Sequence, residues 1–192
     1  GLSRMMPRDP AEPFRSASAL ELLFDLIFGV AVSFSSAQLH YIESEGHLAA
    51  GTGAYFMVFF GIWWAWMNFT WFASAFDPDD WLHRLFTIAQ MGGVIVLAVG
   101  TGPAMTQGDF GLMIGGYAIM RFALVAGWLR AGSGHLDYRR TAHRYALGIT
   151  VLQLAWFALL LVPAGVRTAM FCVLVIGELA VPVWAETARQ TP

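Results

Sequence analysis

The length, composition and charge of this sequence indicate an integral membrane protein. Its 192 residues are 57% hydrophobic and 12% charged, and they include eight Trp. Soluble domains carry about 25% charged residues, so the composition excludes a soluble globular domain. The formal net charge of −2 indicates no class of soluble partner, and no nucleic-acid partner is expected. The single Cys172 excludes an intramolecular disulfide and indicates no zinc cluster.

Six apolar segments follow one another, each close to the ~20 residues that a membrane-spanning helix needs. We therefore predict an all-α fold, a polytopic transmembrane helical bundle of about six spanning helices over residues 18–186. Residues 1–17, which contain several Pro and Arg, are expected to form a poorly ordered cytoplasmic lead-in, and residues 187–192 a short tail. The predicted spans are 18–41, 54–76, 82–102, 110–130, 143–162 and 166–186.

The positive charges predict how the bundle is oriented. The sequence has no Lys, so its eleven basic residues are all Arg. With the N-terminus inside, Arg167 falls on the outer side and Arg121 within a span, while the other Arg fall on the cytoplasmic side. The positive-inside rule then predicts that both termini are cytoplasmic.

The first predicted helix carries its polar side chains along one face. At 100° per residue this polar face covers about 120° of arc, and the opposite face is apolar. We expect the polar face to contact protein or a water-filled cavity, because acids at membrane depth need partners. Its members are Glu21, Asp25, Gly29, Ser33, Ser36 and His40.

Three Trp lie near the middle of the second predicted helix, at Trp63, Trp64 and Trp66. Trp normally favours the two membrane interfaces, so this depth is unusual. Two interpretations stay open. The rings either pack against neighbouring helices or form a cavity wall that holds a cation or an apolar ligand.

An acidic turn follows the second predicted helix and precedes Arg84. Pro78 cannot continue a helix, and one of the neighbouring Asp can cap the next helix. Capping does not require Asp77, Asp79 and Asp80 together. With Arg84 they are therefore candidates for a cytoplasmic mouth that gathers cations.

Arg121 and Glu178 lie within the fourth and sixth predicted helices. An unpaired charge at that depth costs at least ~2.5–3.5 kcal/mol, so both side chains are expected to have partners. Gly111, Gly115 and Ala118 lie on nearly the same side as Arg121. We expect this side to approach another helix closely, with Arg121 pointing into the bundle.

Each predicted helix contributes one strongly polar residue at a similar depth. At 1.5 Å per residue, these side chains lie about 10–15 Å from the cytoplasmic ends of their helices. The sequence therefore predicts a polar layer in the inner half of the membrane. Its members are Asp25, Asn68, Gln90, Arg121, Gln153 and Glu178.

Ion pairing would let this layer exist inside a membrane. Arg121 is expected to pair with Asp25 or Glu178, and its planar fork can take both. One Arg against two acids leaves a negative charge, so either one carboxylate is protonated or a cation shares the site. In an alternative interpretation the layer only locks six helices in register.

Several of these residues together resemble the bacterial low temperature requirement A membrane proteins. The resemblance rests on Glu21-Leu-Leu-Phe-Asp25-Leu-Ile-Phe28, Trp63-Trp-Ala-Trp66, Asn68, Phe76-Asp-Pro-Asp-Asp80 and Arg84, and it runs from about Ala19 to the end. It implies a location in the bacterial cytoplasmic (inner) membrane, but it does not indicate which molecular activity or which cofactor, if any, the protein has. Positions that match the family pattern are Asp25, His40, Trp64, Trp66, Asn68, Asp77, Asp80 and Arg84.

The resemblance also implies a longer chain with a second hydrophobic half. We expect this sequence to be a fragment, a natural half that pairs with itself, or the ordered part of a longer protein. The expected partners are membrane lipids and either a second copy or the second half.

Three classes of function fit these features. Transport of protons, cations or a small solute fits the polar layer, the acidic turn and the mid-membrane Trp, and it is the class we favour. An intramembrane enzyme, or a protein that binds a lipid or apolar ligand, fits an aromatic and acidic pocket. The sequence has no HExxH or GxSxG motif that would support the enzyme. A structural membrane subunit fits if the layer is only a lock.

Overall fold

The computed structural model describes residues 19–44, 48–75, 81–134 and 138–190, and within these ranges it contains six helices and no strand. The predicted helical membrane bundle is confirmed. The predicted lead-in falls outside the described residues, and the last helix continues four residues past the predicted end of the bundle. The helices are α1 (Ala19–Ser44), α2 (Leu48–Ala75), α3 (Trp81–Gln107), α4 (Gly111–Gly134), α5 (Arg139–Leu159) and α6 (Ala164–Gln190).

Five of these helices are long and apolar enough to cross a membrane, namely α1, α2, α3, α4 and α6. The exception, α5, begins with Arg139 and Arg140 and has Arg144 in its second turn, and these charges lower its hydropathy. It still packs along both α4 and α6. The predicted fifth span is therefore a helix of the bundle, but a less apolar one than its neighbours.

The helices pack mainly against their neighbours in the chain. α3 contacts α1, α2 and α4, while α5 joins α4 to α6. α2 reaches α6 through its side chains, because Phe60 packs edge-on against Phe171 with ring centroids 6.2 Å apart. The side chains of α2 therefore fill the space between α3, α4 and α6.

Glycine sets the spacing between α3 and α4. A Cβ added to Gly116 would lie 2.4 Å from a backbone nitrogen of α3, and one added to Gly93 would lie 2.7 Å from the Gly116 carbonyl oxygen. The expectation that Gly111 and Gly115 make the close approach is wrong, because an added Cβ meets no other helix at either position. One residue rotates a helix face by about 100°, which turns Gly116 towards α3 while Arg121 faces α5 and α6.

The α3–α4 loop and the start of α6 are held together by polar contacts. Gly108 adopts a φ of 68°, the left-handed conformation that often ends a helix. The Asp109 carboxylate then accepts the Gly111 N–H at 2.9 Å at the start of α4. Arg167 at the start of α6 donates to the Gly108 carbonyl at 2.8 Å, so the α3–α4 loop is fixed to α6.

Candidate functional site

Glu178 lies at the centre of the bundle with only 2% of its surface exposed. Its Oε1 accepts the indole N–H of Trp156 at 2.7 Å, and its Oε2 accepts the indole N–H of Trp64 at 2.8 Å. Oε2 also forms an ion pair with Nη2 of Arg121. We call these four residues the buried ion-pair centre.

Four helices supply the buried ion-pair centre. Trp64 comes from α2, Arg121 from α4, Trp156 from α5 and Glu178 from α6. From the sequence we expected Arg121 to pair with Asp25, with Glu178 or with both, and the structure pairs it with Glu178. It places the long indoles of α2 and α5 on either side of the carboxylate, so each oxygen has a donor.

Arg121 is 4% exposed and has three acceptors among the described residues. Besides Glu178, its Nη2 donates to the Tyr117 hydroxyl at 3.1 Å, and its Nη1 donates to the Ile149 carbonyl at 3.3 Å. The guanidinium also lies over the Tyr117 ring, 4.3 Å from its centroid. Sequence reasoning missed Tyr117, although its position one turn before Arg121 is the spacing at which helical side chains meet.

Asp25 does not join the buried ion-pair centre. Its Oδ1 accepts the indole N–H of Trp66 at 2.8 Å, and the residue is exposed. Of the described residues, Glu178 is the acid that forms an ion pair with Arg121. The centre therefore holds one cation and one anion, and the surplus negative charge expected for an Arg with two acids is not found there.

The polar face of α1 is only partly turned towards the bundle, since Asp25 and Ser36 contact Trp66 and Tyr55 of α2. Asp25, Ser33 and His40 are all exposed on the described surface. Phe24 is buried instead and stacks on Phe69 with ring centroids 3.7 Å apart, and Ala31 is buried on the same helix. Burying these apolar residues against the bundle fixes the rotation of α1 and leaves parts of both its polar face and its apolar face exposed, including Leu26 and Phe34.

The other members of the predicted layer lie at different distances from the centre. Asn68 donates to the Trp64 carbonyl at 2.8 Å, so it contacts the backbone of a member of the centre. Gln153 lines a crevice together with Arg121. Gln90 is buried on α3, outside the set of residues that contact Glu178.

The three Trp of α2 do not share one wall. Trp64 points to α6 and Trp66 to α1, because two residues along a helix are separated by about 200°. Trp63 packs between these directions, with its ring centroid 5.7 Å from that of Trp64 and 6.2 Å from that of Phe60.

A different set of aromatic rings lines a cavity of about 460 Å³ at the helix ends that the sequence predicts to be the inner ones. Trp128 stacks on Tyr145 with centroids 4.2 Å apart, and the Tyr145 hydroxyl donates to Oε1 of Glu186 at 3.2 Å. We call this cavity the inner aromatic cleft. It is lined by Trp71, Trp128, Tyr145, Pro182, Val183 and Glu186.

The inner aromatic cleft is connected to the buried ion-pair centre. Trp71 meets Trp64 edge-to-face with centroids 5.6 Å apart, and Trp64 donates to Glu178. On α6, Glu186 follows Glu178 by eight residues, which is about 12 Å along a helix. Pro182 lies midway between the two acids.

The predicted cytoplasmic mouth is only partly described. Asp77, Asp79 and Asp80 lie outside the described residues, and Arg84 is exposed in the first turns of α3. Among the described residues, Glu186 is an acid that lines the inner aromatic cleft. Glu178, Pro182 and Glu186 follow one another at intervals of four residues, and this spacing could have indicated that Glu186 shares a helix face with Glu178.

The described residues contain no group of three His, Cys, Asp or Glu side chains that could hold a metal ion. Glu178 is surrounded by indole and guanidinium donors, which suit an anion. The buried ion-pair centre therefore holds a carboxylate whose charge is balanced inside the bundle, and the aromatic cleft beside it offers ring faces and a second carboxylate.

Comparison with known proteins identifies a family but no individual relative. No curated protein and no solved structure matches the chain. The family model described as "Bacterial low temperature requirement A protein (LtrA)" matches residues 16–192. This match covers nearly the whole chain and agrees with its several apolar helices. The chain therefore belongs to the bacterial low temperature requirement A family.

Proposed function

We propose that this chain is a transporter that moves protons or a small cation, with Glu178 as the group that takes up the charge. The observation that carries the proposal is a buried carboxylate on an apolar helix, linked through Trp64 to a cleft at the inner helix ends. Ionisable side chains inside membrane spans commonly mark ion pathways and proton relays.

The inner aromatic cleft supplies the entry to this path. Glu186 places a carboxylate in its wall, and the faces of Trp128 and Tyr145 attract cations through their ring quadrupoles. A cation in the cleft then lies beside Trp71. The Trp71 ring contacts Trp64, which donates a hydrogen bond to Glu178.

Proton uptake at Glu178 is the simplest transport step. A proton added to Oε2 converts the carboxylate to a neutral acid, while Arg121 keeps its positive charge. The centre changes from neutral to a net charge of +1, and the attraction between α4 and α6 is lost. Such a change would also repel a second cation, so protonation and cation entry oppose one another.

The sequence of α6 provides a place where this change can move the helix. Pro182 has no N–H, so it cannot donate to the carbonyl of Glu178 one turn earlier. Helices kink readily at such a position. Loss of the ion pair would therefore allow the inner part of α6, which carries Glu186, to bend away from the cleft.

We place the chain in the bacterial cytoplasmic membrane with both termini inside. The described inner helix ends carry Arg84, Arg130, Arg139 and Arg144, whereas the outer ends carry Arg167, which supports this orientation. Membrane lipids are then direct partners. Asp25, Ser33 and His40 of α1 are exposed polar side chains, and they support association of this helix with a second copy or with a further hydrophobic segment.

A structural role is the second candidate function. Each oxygen of Glu178 has a hydrogen-bond donor, and its contacts tie α6 to α2, α4 and α5. Buried pairs of this kind often specify packing without further chemistry. In that case the buried ion-pair centre locks the helices and never releases Arg121.

A proteoliposome assay distinguishes the two functions. The purified chain is reconstituted with a pH-sensitive dye inside, and internal pH is followed after a potential or a cation gradient is imposed. The variants are Glu178→Gln, the doubly neutral Glu178→Gln with Arg121→Gln, and Asp25→Asn as a control for an acid outside the centre. Melting temperatures are measured for each protein.

Transport predicts flux in the original chain and in Asp25→Asn, and its loss in Glu178→Gln. The double variant should regain stability, because no charge is left unpaired, and should still lack flux. Flux at the original rate in the double variant would contradict the role of Glu178. No flux from the original chain, with a large fall in melting temperature for Glu178→Gln, would favour the structural lock.

A further inference from the structure

A crevice of about 230 Å³ lies between α4 and α5, and both Arg121 and Gln153 line it. Its rim is apolar and faces outward, since 79% of Phe122 and 64% of Leu154 are exposed and Phe157 is exposed as well. In a bundle that spans a membrane, this rim contacts hydrocarbon. The crevice is therefore a side entrance from the lipid into the protein.

The inner wall of this crevice contains an unsatisfied amide. Neither Nε2 nor Oε1 of Gln153 has a hydrogen-bond partner among the described residues, and both atoms are buried. Buried side-chain amides are normally hydrogen-bonded, and the penalty for leaving one unpaired is largest where no water is present. A ligand that both accepts and donates a hydrogen bond would satisfy this amide once the Gln153 side chain turns its buried end into the crevice.

The charge of Arg121 does not make the crevice an anion site. Arg121 lines the crevice, but its charge is balanced by Glu178 and its Nη1 and Nη2 groups contact Ile149 and Tyr117 as well. An anion entering here would lie close to the carboxylate of Glu178. An uncharged polar group avoids that repulsion and still hydrogen-bonds to Gln153.

We propose that the crevice binds an uncharged, hydroxyl-bearing lipid, with diacylglycerol as the model compound. Its hydroxyl donates to Oε1 and accepts from Nε2 of Gln153, which uses both functions of the amide. Its acyl chains lie along Phe122, Leu154 and Phe157 and continue into the bilayer. This site lies beside Arg121 but does not depend on transport through the chain.

Photolabelling tests the proposal without any measurement of flux. The probe is a diacylglycerol with a diazirine in one acyl chain, added to the purified chain in lipid nanodiscs. Labelled peptides are mapped, and unlabelled diacylglycerol or phosphatidic acid is added as competitor. The variants are Gln153→Leu, which keeps the side-chain volume, Ala118→Leu, which narrows the crevice, and Gln38→Leu, which removes an amide on α1.

We expect labelling to concentrate on α4 and α5 and to be displaced by diacylglycerol at lower concentration than by phosphatidic acid. Gln153→Leu should weaken binding about tenfold, as expected for the loss of one to two hydrogen bonds. The same variant should melt at a higher temperature in lipid-free detergent, because an unpaired amide is removed. Ala118→Leu should weaken labelling, and Gln38→Leu should not change it.

Three outcomes would overturn the proposal. Equal labelling of the original chain and Gln153→Leu would mean that the amide does not hold the ligand. Labelling spread evenly over all exposed helices would indicate ordinary bilayer contact, with only water at Gln153. Stronger competition by phosphatidic acid would show that the crevice selects an anion.

Discussion

Glu178 and Asp25 both accept a hydrogen bond from a Trp indole, but Glu178 is buried and Asp25 is exposed. Each lies on an apolar helix and accepts an indole N–H at 2.8 Å, from Trp64 and Trp66 respectively. Glu178 is buried among four helices, whereas Asp25 is exposed on the outer surface of α1. The hydrogen bond from an indole, which both acids have, therefore does not determine whether the carboxylate is buried.

The counter-charge and the second donor make the difference. Glu178 also has Arg121 and Trp156, so its charge is balanced and both of its oxygens have donors. Asp25 has the single hydrogen bond from Trp66 among the described residues. The free-energy cost of removing a carboxylate from water is offset only when a cation and further hydrogen bonds replace the lost hydration.

Removal of each acid should show the largest contrast. Glu178→Leu leaves Arg121 buried without a counter-charge, and we expect it to lower the free energy of unfolding by about 3–5 kcal/mol. Asp25→Leu removes an exposed acid, and we expect little loss or a gain. Thermal unfolding in one detergent compares the two, and adding Arg121→Leu to Glu178→Leu should recover most of the loss. Equal losses for both acids would contradict the comparison.

Removal of the indole donors should show the next largest effect. Trp64→Phe and Trp156→Phe each delete a hydrogen bond to a buried charged group, which is worth about 1.5–3 kcal/mol. Trp66→Phe deletes the bond to exposed Asp25 and should cost less than about 1 kcal/mol, because other donors can reach this carboxylate. The same unfolding assay serves here. A cost for Trp66→Phe as large as for Trp64→Phe would show that Asp25 is buried in the working protein.

Adding one methyl group should change stability with opposite sign in the tightly packed α3–α4 interface and on the exposed side of α1. Gly116→Ala pushes a Cβ into the backbone of α3, and overpacking of this kind costs about 1–3 kcal/mol. Gly29→Ala lies on the face of Asp25, where an added Cβ meets nothing within 4 Å, and should gain about 0.4–1 kcal/mol. Melting temperatures of the two variants provide the measurement. Destabilisation by Gly29→Ala would reveal a partner on the outward face of α1.

The smallest effect is expected for Asp25→Asn. The amide oxygen can still accept the Trp66 N–H, and exposed substitutions usually change stability by no more than about 0.5 kcal/mol. Glu178→Gln, the matched change in the buried ion-pair centre, should cost several times more. Side-by-side denaturation of these two variants isolates the charge from the shape of the side chain. A difference below the error of that measurement would undo the comparison.

Depth along the chain could be predicted from the sequence because a helix rises by a constant 1.5 Å per residue. That regularity brought Arg121 and Glu178 to one level, where they pair. Rotation could not be predicted equally well. α1 has a polar face and an apolar face, but the burial of Phe24 and Ala31 against its neighbours fixed its rotation and left Asp25 outside.

Contacts between residues from distant parts of the chain also could not be predicted from the sequence. Trp156 was passed over because nothing local marks it as the donor to an acid 22 residues later. The inner aromatic cleft likewise combines Trp71 with Trp128, Tyr145 and Glu186, which lie on four different helices. Such sets form only when helices pack.

Reading along the chain was enough to establish a bundle of apolar helices, the family, and a few charged side chains at membrane depth. Composition, hydrophobic segment length and helical rise are local properties, so they can be read along the chain. The folded structure was needed to show which acid pairs with Arg121, which side of α1 is buried, and where the cleft and the crevice lie. Those choices depend on how neighbouring helices are rotated and spaced, and contacts between residues far apart in sequence fix both.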